Sequence, residues 1–84
     1  MTRIFNSPNE ALCYMVECTM ATLEGLRSVK KTSKYEISRH EQLVEIGLRN
    51  CEVFKLRDAA HTARCSRVEL ALDAREKARQ EPVG

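Results

Sequence analysis

At 84 residues the chain can form only one small domain, near the lower size limit at which a single apolar core holds a protein folded without a metal, disulfides or a second subunit. Charged residues make up 31% and apolar residues 43% of it, and only two glycines and one proline precede residue 82, which excludes a disordered chain and a turn-rich β protein. The net charge of +2 is too small for wide non-specific binding to nucleic acid.

The first residues show no apolar core of a transport signal, and the longest apolar run, residues 11–16, is too short to span a membrane. Four cysteines lie inside helical patterns rather than in the loop-rich framework of small disulfide-bonded proteins. We therefore predict a soluble cytoplasmic protein that does not enter a membrane and whose cysteines are reduced.

A first helix is predicted over about residues 8–31. Ser7, Pro8 and Glu10 have the spacing of a capping box with proline in the first turn. Apolar side chains then recur every three or four residues and include Met15, Met20 and Leu23. Because methionine adapts its shape, this stripe is interpreted either as core or as a groove for a partner helix.

A basic turn follows the first helix. Its candidate phosphate contacts are Arg27, Lys30, Lys31, Lys34 and Arg39, and Tyr35 could stack on a base. The alternative is that these cations complement the end of the first helix and keep the loop solvated. Capping-box spacing after both Ser33 and Ser38 leaves the start of the next helix uncertain by one turn.

A second helix is predicted over about residues 35–57. It is apolar on two adjacent stripes and exposed to solvent on one side only. The stripes are Ile37, Val44, Cys51 and Phe54, and Leu43, Ile46, Val53 and Leu56. Such a helix needs partners on two flanks. Gly47 within it indicates either close approach of another helix or simple tolerance of a costly residue.

A third helix, or a continuation of the second, is predicted over about residues 59–80, followed by a loose tail at 81–84. Asp58 and Ser66 are the only caps at which the chain would turn. The predicted fold is thus all-α: a small helical bundle formed by an antiparallel helix pair plus a third helix, or by a long kinked second helix, and completed by dimerisation.

Little in the sequence favours catalysis or metal binding. Cys51, His61 and Cys65 are weak zinc candidates, since His61 and Cys65 share a helix face, but no Cys-x-x-Cys pair accompanies them. No phosphate loop, metalloprotease motif or nucleophile with an orienting third group is visible. We predict a protein that is not an enzyme and that needs neither a metal nor a cofactor.

The remaining class of function is molecular recognition, for which we consider two hypotheses. The first is a protein-binding module, a homodimer that acts as an adaptor, regulator or inhibitor of a partner complex, as bacterial or phage-encoded accessory proteins do. Its predicted partner or dimer face consists of Met15, Met20, Leu23, Val44, Leu48 and Phe54. The alternative is a nucleic-acid-binding regulator that uses residues 27–39, with help from Arg64, Arg67 and Arg75.

Overall fold

The computed structural model describes residues 7–57 and 59–80, and the side chains of all of these except residues 59–61. The described part is a small all-α bundle of four helices, α1 (Pro8–Ser28), α2 (Lys34–Val53), α3 (Ala59–Arg64) and α4 (Ser66–Gln80). The predicted fold class is confirmed, while dimerisation stays a prediction. The predicted turn at Asp58 and the predicted tail at 81–84 lie outside the described residues.

Both predicted helix starts follow serine caps. The Ser7 hydroxyl accepts a hydrogen bond from the Glu10 backbone N–H at 3.2 Å, with Pro8 in the first turn of α1. At α2 the cap is Ser33, which accepts from the backbone N–H of Glu36, and not Ser38. Each cap satisfies one of the amide donors that a helix leaves unpaired at its N-terminus.

The first two helices end earlier than predicted. α1 stops at Ser28 rather than near residue 31, because Val29 takes an extended backbone conformation. α2 stops at Val53 rather than near residue 57, and Lys55 has a left-handed φ of 52°. The N–H of Leu56 then donates to the carbonyl of Cys51, which closes the helix with the bonding pattern that usually has glycine in the place of Lys55.

α1 and α2 form an antiparallel pair, because contacts near the end of α1 are made to the start of α2, and contacts near its start to the end of α2. Arg27 pairs with Glu41, whereas the Cys13 sulfur lies 3.5 Å from that of Cys51. Gly47 makes the close approach possible: a Cβ at this position would lie 2.5 Å from a methyl carbon of Val16. The interpretation of Gly47 as a helix contact is thus confirmed.

The chain does not continue as one helix of about 45 residues. It leaves α2 after Val53, forms the short α3, and breaks again at Cys65 before α4. The core lies among α1, α2 and α4, and Leu56 from the segment after α2 joins it. The buried apolar side chains are Cys13, Val16, Leu23, Val44, Leu48, Cys51, Leu56, Cys65, Val68 and Leu72.

A candidate protein-binding face on the second helix

α2 has an inner face that is packed and, beside it, an outer face that is largely apolar and exposed. Val44, Gly47, Leu48 and Cys51 lie inside, at the spacing of one helical stripe. The outer face consists of Tyr35, Arg39, Leu43, Ile46, Asn50, Val53 and Phe54, which lie within about 100° of one another around the helix. A helix with apolar residues on both faces buries only one of them in this fold.

Exposure of the outer face is substantial. The exposed fractions are 72% for Tyr35, 49% for Leu43, 54% for Ile46, 65% for Val53 and 65% for Phe54. Single exposed apolar side chains are common on proteins, but a contiguous group of this kind marks an interaction surface. Water contact with these side chains is unfavourable by roughly 25 cal/mol per Å² of apolar area, so covering them favours association.

Some residues of the predicted partner face are buried in the structure, and others are exposed. Leu23, Val44 and Leu48 lie in the core, so their assignment to a binding face is corrected: they are used within the chain. Met20 is half-buried and, with Leu23 and Val44, lines a groove between α1 and α2. Of the predicted set, only Met15 and Phe54 are well exposed, and only Phe54 lies on the outer face of α2.

The reason for this division is the choice between two adjacent stripes. Spacing marks both stripes of α2 as apolar, but the bundle buries Val44 and Cys51 of the first stripe and leaves Phe54 exposed, while it buries only Leu56 of the second. Leu43, Ile46 and Val53, from the second stripe, are left on the outside. A signal was present in the sequence, since Arg39 and Asn50 interrupt the outer stripe and no charged residue interrupts the inner one between Val44 and Cys51.

The basic turn is only partly available to an anion. Arg27 pairs with Glu41 at 3.2 Å, so its charge is shared within the chain. Lys30, Lys31, Lys34 and Arg39 are exposed, and none of them has an ion-pair partner among the described residues. The structure thus brings these four cations and Tyr35 to the start of α2.

The arginines of the last segment are engaged elsewhere. Arg64 pairs with Glu10, Arg67 with Glu17 and Glu24, and Arg75 with Glu45 and Glu52. Arg64 thus joins α3 to α1, while Arg67 and Arg75 join α4 to α1 and α2. These three arginines are engaged in ion pairs within the chain, and their suggested contact with nucleic acid stays a prediction.

Glu17 makes the most specialised of these contacts. Its carboxylate lies over the start of α4 and accepts hydrogen bonds from the backbone N–H groups of Arg67 and Val68, at 3.3 and 3.0 Å. The side chain of Arg67 donates to it as well, at 3.0 Å. A carboxylate at a helix N-terminus is favoured by the helix dipole and by the unpaired amides. Glu17 of α1 therefore caps α4, and the predicted cap Ser66 lies inside the helix as its first residue.

Two of the three candidate zinc ligands, Cys51 and Cys65, have side chains that the structure describes. Cys51 and Cys65 are fully buried, whereas the side chain of His61 lies outside the described residues. Among the described residues no group of three ligands is arranged to hold a metal ion. Burial raises the pKa of the Cys65 thiol to about 11 and also raises the pKa of Cys51, so both thiols stay protonated near neutral pH.

No disulfide joins the four cysteines, all of which lie in the described part.

Glu69 is a further buried carboxylate. One of its oxygens accepts a hydrogen bond from Arg57 at 2.8 Å, and the other has no hydrogen-bond partner among the described residues. No helix in the described part is long and apolar enough to cross a membrane.

The outer face of α2 is thus the described surface with the strongest physical reason to bind something. Comparisons of the chain with known protein families, with curated proteins and with solved structures find no match.

Proposed function

We propose that the chain is a protein-binding module that docks another polypeptide on the outer face of α2 and acts as an adaptor, regulator or inhibitor of a partner protein. One observation carries this proposal: Leu43, Ile46, Val53 and Phe54 are about half exposed or more, along one side of a rigid helix. Amphipathic helices with such faces bind partners through side chains spaced three and four residues apart.

The use made of the other polar residues supports binding rather than catalysis. The buried carboxylates Glu10, Glu17 and Glu69 each contact an arginine of another segment, and Glu17 also caps α4. These three carboxylates are thus engaged in contacts between segments of the bundle. We place the protein in the cytoplasm, because the exposed thiol of Cys18 and the reduced core thiols suit a reducing compartment.

The test is affinity capture of the tagged chain from a lysate of its native host, comparing the wild-type protein with Ile46→Glu. A charge at Ile46 should abolish retention of the partner, because it would have to be desolvated on binding. Leu70→Glu is the matched control, since Leu70 is also an exposed aliphatic residue, at 70% against 54% for Ile46, but lies on α4. Circular dichroism should show the same helix content for all three. Equal capture by wild type and Ile46→Glu contradicts the proposal.

A second candidate function is nucleic-acid binding through the basic turn. The observation behind it is that Lys30, Lys31, Lys34 and Arg39 lack ion-pair partners among the described residues and lie near Tyr35 in the sequence, whose ring is exposed. Proteins that bind single-stranded nucleic acid typically have a cationic surface that follows the sugar–phosphate backbone and an aromatic side chain on which a base stacks.

Salt dependence separates the two candidates. Binding of a fluorescent single-stranded oligonucleotide should weaken steeply with salt and fall when Lys30, Lys31 and Lys34 are changed to Gln, because each phosphate contact releases counterions. Ile46→Glu should leave this binding nearly unchanged. No affinity for the oligonucleotide at low salt, or an affinity that salt does not alter, contradicts nucleic-acid binding.

A further inference from the structure

We infer that the polypeptide docked on the outer face of α2 is a second copy of this chain, with the two α2 helices antiparallel. The inference rests on the proposed use of this face as a protein-docking surface, and it names the occupant. The argument comes from the order, chemistry and charge of the residues along the helix.

Six of the seven residues of the outer face have the same spacing in both directions. Along α2 they are Tyr35, Arg39, Leu43, Ile46, Asn50 and Phe54, at steps of four, four, three, four and four residues, whereas the seventh, Val53, has Glu36 as its counterpart about the same centre. The order of side-chain types among the six is also symmetric, running aromatic, polar, aliphatic, aliphatic, polar, aromatic. In an isologous two-fold interface each position meets its counterpart read in the opposite direction, so this order brings side chains of like type together.

Antiparallel pairing then gives each of these six side chains a suitable neighbour. With the two-fold axis level with Val44 and Glu45, Leu43 of one copy meets Ile46 of the other, and aromatic rings meet at both ends. Arg39 meets Asn50, so that a guanidinium donor faces an amide oxygen. In the single chain neither Arg39 nor Asn50 has a side-chain hydrogen bond among the described residues. The polar interruptions of the stripe thus satisfy one another in the dimer.

Charge favours the antiparallel over the parallel arrangement. In a parallel pair the two Arg39 guanidinium groups would face each other across the interface. The antiparallel pair separates them by about 16 Å along the axis, at 1.5 Å per residue, which exceeds the screening length of about 10 Å at 0.1 M salt.

The expected affinity is modest. α2 has 20 residues and is thus about 30 Å long. One helix pair of this length covers less than the roughly 800 Å² per partner of a tight complex. Dimerisation is therefore expected in the micromolar range, with monomer at high dilution.

Sedimentation equilibrium of the purified full chain, from low micromolar to near-millimolar concentration, tests the inference. Wild type should change from monomer to dimer over this range. Ile46→Glu should stay monomeric with unchanged helix content, and Leu70→Glu should dimerise as wild type does. A wild-type chain that is monomeric at all concentrations, or an Ile46→Glu variant that dimerises equally well, overturns the inference.

Disulfide trapping tests the orientation. In a Cys18→Ser background, which removes the exposed native thiol, Arg39→Cys and Asn50→Cys chains of different tags are mixed with glutathione disulfide as the oxidant. Covalent dimers should form between the two different variants at least tenfold faster than within either one alone. Faster formation of dimers within the Asn50→Cys variant indicates a parallel pair and overturns the antiparallel assignment.

The two proposals fail in different ways. If the purified chain is monomeric throughout but captures a host protein that Ile46→Glu releases and Leu70→Glu keeps, the docking face stands and the second-copy inference falls. If the purified chain dimerises through Ile46 but the tagged chain captures no host protein, the second-copy inference stands and the proposed regulation of a partner complex falls.

Discussion

Where α1 meets α2 the contact is made mainly by small and apolar groups, with the exposed ion pair Arg27–Glu41 beside them, whereas α4 is attached to both helices by carboxylate–arginine pairs around a narrow apolar stripe. Gly47 lies against Val16 in the first contact, with no charged group between them. In the second, Glu17 binds the start of α4, and Arg75 joins α4 to Glu45 and Glu52 of α2.

The difference follows from how much apolar area each helix offers. α4 contributes Val68 and Leu72 to the core, and its many charged residues leave little else to bury. Directional polar contacts therefore have a larger share in fixing its position. The α1–α2 contact depends instead on close packing, which is lost when volume is added and which salt does not alter.

The largest expected effect comes from adding volume where α1 meets α2. Gly47→Val should lower the free energy of unfolding by about 3 kcal/mol, because its side chain would overlap that of Val16 and force the helices apart. Urea unfolding followed by circular dichroism measures the change. Gly25→Ala is the matched control: nothing lies within 4 Å of its added Cβ, so it should stabilise the helix by about 0.5–1 kcal/mol.

A double-mutant cycle sharpens this test. If contact with Val16 causes the loss, Val16→Ala combined with Gly47→Ala should be less destabilising than the sum of the single changes. Strict additivity of the two would contradict the close contact.

The next effect should come from the cap on α4. Glu17→Ala leaves the amides of Arg67 and Val68 without their acceptor, and should cost about 1–3 kcal/mol in unfolding free energy. Glu24→Ala is the control, because Glu24 also pairs with Arg67 but is exposed and caps no helix. Hydrogen exchange should show faster exchange in α4 than in α1 for Glu17→Ala. Equal losses for both variants would show that capping is not the reason.

Local signals in the sequence predicted the start of α1 correctly and gave Ser33 as one of two candidate caps for α2, since Ser7 and Ser33 act on amides three residues away. Contacts between distant segments could not be predicted in the same way. Glu17 and Val68 are 51 residues apart, and no spacing rule connects a carboxylate in one helix with the cap of another. Periodicity likewise marked both stripes of α2 as apolar. It could not decide which one α1 and α4 cover, because that depends on how much area those helices supply.

The end of α2 was mispredicted for a related reason. A substitution there is expected to stabilise the fold, by less than the cap on α4 contributes. Lys55 occupies a left-handed conformation that glycine adopts without cost, so the sequence offered no stop signal there. Lys55→Gly should raise the free energy of unfolding by about 1 kcal/mol. Lys55→Ala is the control, because it removes the same charge but keeps the Cβ. Stabilisation by Ala equal to that by Gly would assign the effect to charge instead of backbone conformation.

The smallest expected effect concerns the ionic attachment of α4, and it depends on pH. The hydrogen bond from Arg75 holds the pKa of Glu45 below its ordinary value of 4.5. A carboxyl whose pKa is lowered in the folded state stabilises that state above its unfolded pKa, and the contribution is lost as the pH falls through the folded pKa. Arg75→Gln should therefore lower the Tm slightly at pH 7, and its difference from wild type should shrink once the pH falls below about 4.5. Arg39→Gln removes an arginine without a partner among the described residues, so its Tm difference should not follow this profile. A difference for Arg75→Gln that stays constant from pH 7 to pH 3 would mean that Arg75 acts through the packing of its aliphatic stem, and the contact of α4 with α2 would then resemble that of α1 with α2.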